Sequence, residues 1–199
     1  MHRRVALVFL VLFTACDRAP APETMPTPDH KESPAPPPEA VMFTSQDGLV
    51  AAPRPPGDGW ECVEQVVNEP GQEATLIKCR HTDRTRFFFL MAKDYVVPAE
   101  QVRSVEELST AVFPATYQKL FQSHVITEAR AATHAGAPAY DSWIEAVHAS
   151  MGPIRKRERV ITRGTHVLVI SAEGMPAAYE AEGAAMEAWF SGARFKNLQ

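Results

Sequence analysis

Proline decides where this chain can fold. Of its 17 prolines, eight lie in residues 17–40, which read DRAPAPETMPTPDHKESPAPPPEA. Each proline fixes φ and removes a backbone donor, so neither a helix nor a sheet ladder survives at this density. The segment has no aromatic and no β-branched apolar residue, and so too little apolar surface to offset the entropy of ordering it. The expectation is an extended, polyproline-like tether. At about 3.1 Å per residue, its 24 residues reach roughly 75 Å. Such a segment could dock a reader of PxxP, but a plain spacer is the simpler reading. Everything able to build a core lies in residues 41–199, a length that suits one domain.

The residues before the tether have a different character. Arg3 and Arg4 precede the unbroken apolar run VALVFLVLF at 5–13, followed by Thr14, Ala15 and Cys16. A basic start, a short apolar stretch and small residues before a cut are the layout of a secretory signal. Nine residues fall well short of the roughly 20 that span a bilayer. The run also lacks the polar face of an amphipathic domain helix. The segment FTAC resembles the lipobox of bacterial lipoproteins, with Phe13 standing where leucine is commoner. That resemblance implies a signal peptide over 1–15, cleavage before Cys16, and acylation of the Cys16 thiol, palmitate included. Residues 16–40 then tether a domain that is anchored to a membrane of the cell envelope and faces the periplasm. Asp17 resembles an inner-membrane retention signal of enteric bacteria, and the choice between inner and outer membrane stays open.

Composition narrows the function classes. A formal charge of −4, with 22% charged and 45% apolar residues, argues against a nucleic-acid binder, a multi-span membrane protein and disorder throughout.

The chain has three cysteines. Acylation would take Cys16 and leave Cys62 and Cys79, an even remainder that suggests a disulfide in an exported domain. Strands expected at 60–67 and 74–80 flank a Pro70-Gly71 turn signal. A hairpin centred there pairs residues whose numbers sum to 141. Cys62 and Cys79 meet that condition, which sets them opposite one another on one face. Two free buried thiols, or redox or metal chemistry, are the alternatives. There is no CxxC, and His81 is the one nearby residue suited to join a metal site.

Further along, 49–52 reads as a short extended piece. Residues 86–93 contain FFFLMA, a continuous apolar run suited to a strand buried on both faces. Ser104 and Glu107 have capping-box spacing and open a helix whose apolar face holds Leu108, Val112, Tyr117, Leu120 and Phe121. Pro114 should bend or break that helix. Four strands, 124–134, 139–149, 154–163 and 166–172, follow with short Gly-containing connections, as in an antiparallel meander. A last helix fits 176–190, with Pro176 at its start, Gly192 as terminator, and Tyr179, Met186, Trp189 and Phe190 inward. Arg194-Phe195 reads as a final short strand. The fold class is therefore α+β: an antiparallel β-sheet of about six to seven strands with two helices packed against it.

The run GTHVLVISAEGMPAAYEAEGAAMEAWFSGARF resembles the end of PsbP-like (DcrB-like) domains, where a strand leads to a helix and an "SFRF"-type strand; SGARF at 191–195 approximates the latter. HAGAPAYDSW at 134–143 and Gly59-Trp60 are further partial matches. The resemblance covers most of 45–197, and its motifs are structural. It implies a binding or accessory role and brings no catalytic residues with it.

The chemistry-bearing motifs are few. There is no GxSxG, no HExxH and no phosphate-cradling glycine loop. His81, His124, His134, His148 and His166 are scattered, so neither a metal nor any other cofactor is expected. Alternation places Arg155, Arg157 and Arg159 on one strand face, where they could contact an anionic partner such as an acidic protein, a lipid head group or a glycan phosphate. A solvated or edge-protecting charged face is the plainer reading. The expected function is a non-catalytic binding or accessory lipoprotein with an envelope protein as partner. The alternative is an envelope hydrolase whose residues, for instance Asp94, His124 or Glu173, converge only in three dimensions. A cleft gathering two histidines and a carboxylate would favour the enzyme, and a shallow apolar patch would favour the binder.

Overall fold

The computed structural model describes residues 40–69, 73–83 and 87–198. The expected signal peptide, Cys16, the expected tether before Ala40 and the Pro70-Gly71 turn signal lie outside the described residues. The described residues belong to one compact unit.

The strands in chain order are β1 (Met42–Thr44), β2 (Val50–Pro53), β3 (Trp60–Val67), β4 (Ala74–His81) and β5 (Phe88–Val96). A helical stretch follows: α1 (Val105–Glu107), a π-helical turn at Leu108–Val112, and α2 (Phe113–Leu120). Then come β6 (Ser123–His134), β7 (Ala137–His148), β8 (Gly152–Arg163), β9 (His166–Gly174), α3 (Pro176–Ala181), α4 (Gly183–Gly192) and β10 (Arg194–Phe195). Seven strands make one antiparallel sheet in the order β3-β4-β5-β9-β8-β7-β6, and β1-β2-β10 make a small second sheet.

Local chemistry accounts for most of this order. β3 and β4 pair in the register expected from the cysteine spacing, with Cys62 opposite Cys79. The two are joined by a disulfide, their Cα atoms 4.0 Å apart. Ala135 and Gly136 turn β6 into β7 with φ of 47° and 79°. That pair of positive values is the tight hairpin turn whose twist matches the strands. The sheet then splits the side chains by alternation. On its first face Ile77, Phe88, Leu90, Ile161, Leu168 and Ile170 pack against Met186, Trp189 and Phe190 of α4, with Val50 and Phe195 of the small sheet completing the core. Trp189 is wholly buried, and its indole N–H donates to the Met91 carbonyl at 3.1 Å.

Where one helix was expected over 176–190, the chain forms two, separated at Glu182. Gly183 follows at once, and glycine is a weak helix former. Gly192 is not a left-handed cap. A Cβ there would lie 2.9 Å from Pro53 Cγ, so its bare Cα lets α4 pack onto β2.

The second face is covered by the helical stretch. Ser104 caps α1 as expected, with its Oγ accepting the Glu107 N–H at 3.1 Å. The Glu107 carboxylate reaches Arg103 instead of closing the reciprocal bond. Pro114 does not break the helix. It falls in the first turn of α2, directly after the π-helical turn, where its missing N–H is tolerated. The widened turn also rotates the residues that follow. Leu108, Tyr117 and Phe121 are buried on Ile144, Ala146, Ile154, Val160, Val167 and Val169, while Val112 and Leu120, expected inward, face solvent.

β5 corrects one expectation. Phe88, Leu90 and Ala92 are buried on the first face, but Phe87, Phe89 and Met91 on the other are only half-buried. The helical stretch lies over β6–β9; Phe87 just before β5 and Tyr95 near its end pack against the clusters beneath it, and the middle of β5 with β3 and β4 lies beyond its reach.

Candidate binding surface

The three arginines of β8 point to the first face, beneath α3 and α4. Arg159 grips Asp141 of β7 with two bonds, Nε to Oδ1 at 2.6 Å and Nη2 to Oδ2 at 2.7 Å. Arg157 shares Oδ2 of the same carboxylate at 3.3 Å, reaches Glu187 of α4 at 2.7 Å, and lies over the Phe190 ring. Arg155 pairs with Glu180 of α3 at 2.5 Å and with Glu145 at 3.5 Å. Asp141 is 2% exposed. Burial opposes its ionisation, but the hydrogen bonds and charges of Arg159 and Arg157 outweigh that and hold its carboxyl below the usual range. The stripe is thus engaged with this chain's own carboxylates, and only Arg155 keeps a side chain more than a third exposed.

The alternate residues of β8 enter a buried polar cluster on the second face. Lys156 Nζ sits 3.0 Å from Glu158 and 4.0 Å from Glu173. The Tyr117 hydroxyl of α2 donates to Glu158, and Lys156 lies over the Tyr117 ring. Burial pushes the Glu173 carboxyl up, with Lys156 and Lys78 partly opposing. Ser142 and Ser171 flank Glu158 on the neighbouring strands. This cluster ties the helical stretch to the sheet.

The residues suggested for hydrolysis stay apart. Asp94 is buried and accepts from His166 Nδ1 and from Asn197 Nδ2, both at 2.9 Å. Its register neighbour Thr75 donates to Asp47. His124 packs on the edge of Tyr117 from β6, and Glu173 lies in the Lys156 cluster on β9. Among the described residues, the larger clefts hold at most one histidine each. No group of three or more His, Cys, Asp or Glu placed to hold a metal ion occurs among them either.

The surface that stands out is the uncovered second face of β3–β5. Register sets Phe89 beside Arg80, Met91 beside Lys78, and Lys93 beside Leu76, with Val63 of β3 next to Lys78. Val63 is 48% exposed. Lys78 Nζ lies 4.0 Å above the Phe89 ring and Lys93 Nζ 4.6 Å from the Tyr95 ring centroid, so each ammonium packs on an aromatic face, and burial pushes the Lys93 amine down. Among the described residues no carboxylate lies within ion-pair distance of either lysine. Arg80 is paired with Glu61 at 2.6 Å. Toward the β4–β5 end, an open cleft of about 510 Å³ is lined by Lys78, Arg80, His81, Phe87 and Phe89. The arrangement is a shallow mixed face in which Val63, Leu76, Phe89 and Met91 surround Lys78, with Lys93 beside Leu76. Sequence alone missed it, because FFFLMA reads the same whether or not a helix covers its second face.

No family model and no curated protein matches the chain. Solved structures do. The chain is similar to cyanobacterial PsbP (CyanoP) from Synechocystis sp. PCC 6803, with a TM-score of 0.54 at 12% identity over 78% of this chain and 91% of that one. It overlaps less well, at a TM-score of 0.44 and 13% identity, with LpqN, described as involved in cell envelope biogenesis of Mycobacterium tuberculosis, over 78% of this chain and 89% of that one. At such identities likeness speaks for architecture, and the CyanoP match together with the sheet order and flanking helices makes this a domain of PsbP-like α+β fold.

Proposed function

We propose that this chain is an envelope lipoprotein, anchored through acylated Cys16, whose domain is a non-catalytic module that docks an envelope protein on the open face of β3–β5. One observation carries the docking part: half-buried Phe89 and Met91 and exposed Val63 lie around Lys78, with Lys93 beside Leu76, on the half of the sheet left uncovered by the chain's own helices. Exposed apolar surfaces with polar neighbours mark interaction sites. Their cations suit a partner segment with apolar residues flanked by carboxylates.

The anchor reading is supported by the basic start, the apolar run and the small residues before Cys16. The disulfide suits an oxidising compartment, and the proline-rich tether gives the domain reach from a membrane. Among the described residues no helix is long and apolar enough to cross a membrane. Each buried CH₂ of an acyl chain contributes ~0.8 kcal/mol, so two or three chains hold a protein of this size on a bilayer.

The test has two arms. Cys16→Ser should release the chain from salt-washed membranes while the domain keeps its melting temperature; a variant that still pellets with membranes refutes the anchor. Phe89→Asp should abolish association with the partner while leaving the fold intact; retained association refutes the docking face.

A further inference from the structure

We infer that β6 is a self-complementary edge through which two copies of this chain join their sheets. β6 is the outer strand of the seven-stranded sheet, opposite the end that carries the open face, and is 12 residues long. Residues 127–131 are all exposed. An edge strand presents unpaired N–H and C=O groups, and proteins commonly blunt such edges with proline, inward charge, a bulge or a covering element. β6 has no proline, and the only irregularity in its pairing with β7 is a bulge at Thr127, which leaves 128–134 in regular register.

Charge selects the partner. Glu128 and Arg130 stand two residues apart on one face, 53% and 61% exposed, and pair with each other at 3.1 Å, a bond that two copies would exchange for crossed pairs. A two-fold axis through Ala129 of an antiparallel pair sets Glu128 of each copy opposite Arg130 of the other. The same axis sets Ala129 against Ala129, within the regular stretch that follows the bulge. Shifting the axis to Glu128 or Arg130 would place like charges in direct opposition, which is destabilising. Arg130 is already held in place, its guanidinium 4.7 Å from the Trp143 ring centroid. Small Ala129, Ala131 and Ala132 let a second backbone approach. The opposite edge, β3, fits a second copy badly. Its charged residues are Glu61 and Glu64, both acidic, and Glu64 already accepts the Gln46 N–H from the β1–β2 connection.

Antiparallel pairing keeps like faces on the same side of the joined sheet. The two open faces of β3–β5 would thus lie at its two ends and face the same way, a bivalent arrangement in which one docked partner raises the effective concentration for the second. A short strand pair buries less than a stable dimer in dilute solution needs. Confinement of both copies to one membrane is the setting in which it forms.

The experiment is cysteine crosslinking of the full chain in its native membranes with a short bismaleimide. Ala129→Cys should give a covalent dimer absent from the parent chain. Val125→Cys alone should not, because its two copies lie far from the axis. Adding Glu128→Arg to Ala129→Cys should lower the dimer by roughly tenfold, and further adding Arg130→Glu should restore it. Equal crosslinking from Ala129→Cys and Val125→Cys, or indifference to Glu128→Arg, overturns the inference.

Discussion

Replacing Asp141 with asparagine should be the most damaging single polar change in the domain. The wild-type carboxylate is 2% exposed and serves two guanidinium groups, with a two-pronged contact to Arg159 and a third bond to Arg157. Asparagine keeps one acceptor and the volume but removes the charge. Arg159 then has no carboxylate partner, and Arg157 retains only Glu187, whose side chain is 67% exposed and screened by solvent. Removing one member of a buried pair costs ~3–5 kcal/mol. The retained acceptor and the surviving Glu187 contact place Asp141→Asn near the lower end, at ~3 kcal/mol. For a domain of this length that is a fall of about 9 °C in Tm. Urea titration should show a lower midpoint with an unchanged slope. The pH dependence adds a second check. Because the carboxyl is held below its ordinary 3.8, its contribution is complete above that value and is lost as pH falls through the lowered one. The gap between wild type and variant should therefore close as pH falls below 3.8. A loss under about 1 kcal/mol, the scale of an exposed pair, or a gap that persists at low pH, would refute the view that this carboxylate holds the β8 arginines in place.

Three further outcomes follow from other contacts. Reducing the Cys62–Cys79 bridge, which spans 17 positions, should cost ~3 kcal/mol by freeing the unfolded hairpin, read as a lowered urea midpoint under reducing conditions. Gly192→Ala should lower Tm by several degrees although alanine is the better helix former, since its Cβ would press on Pro53; circular dichroism melts decide, and a raised Tm contradicts the close approach. His134 is buried and its pKa is pushed down by desolvation, with Arg159 adding to the effect and the Ala193 carbonyl opposing it. The unfolded chain then binds the extra proton first, so stability should fall as pH drops below 6.5, and the fall should flatten in His134→Gln.

The parts of this fold legible in the sequence are those set by local chemistry. The Pro70-Gly71 turn signal and the cysteine spacing give the β3–β4 register without any knowledge of the rest, because in a hairpin one turn fixes every pair. Ser104 announces a helix start through a bond four residues long, and SGARF places β10 where it pairs with β2. The parts that were not legible depend on what lies across from a residue. The π-helical turn before Pro114 exposes Val112 and Leu120 in place of burying them, and its widening is settled by packing on β7–β9, not by the residues within it. The β8 arginines read as a surface stripe until the register brings Asp141 opposite Arg159. The open face of β5 is the sharpest case. Phe88 and Phe89 are adjacent and alike; α3 and α4 bury Phe88 on the first face, while the helical stretch leaves Phe89 half-buried on the second.

A photo-crosslinking residue placed at Met91, in the full chain and in living cells, tests the central proposal most directly. The account predicts one discrete adduct with another envelope protein, absent when the probe sits at Lys119 on α2 and lost when Lys78→Glu is added. No adduct from position 91, or the same adduct from position 119, would contradict it.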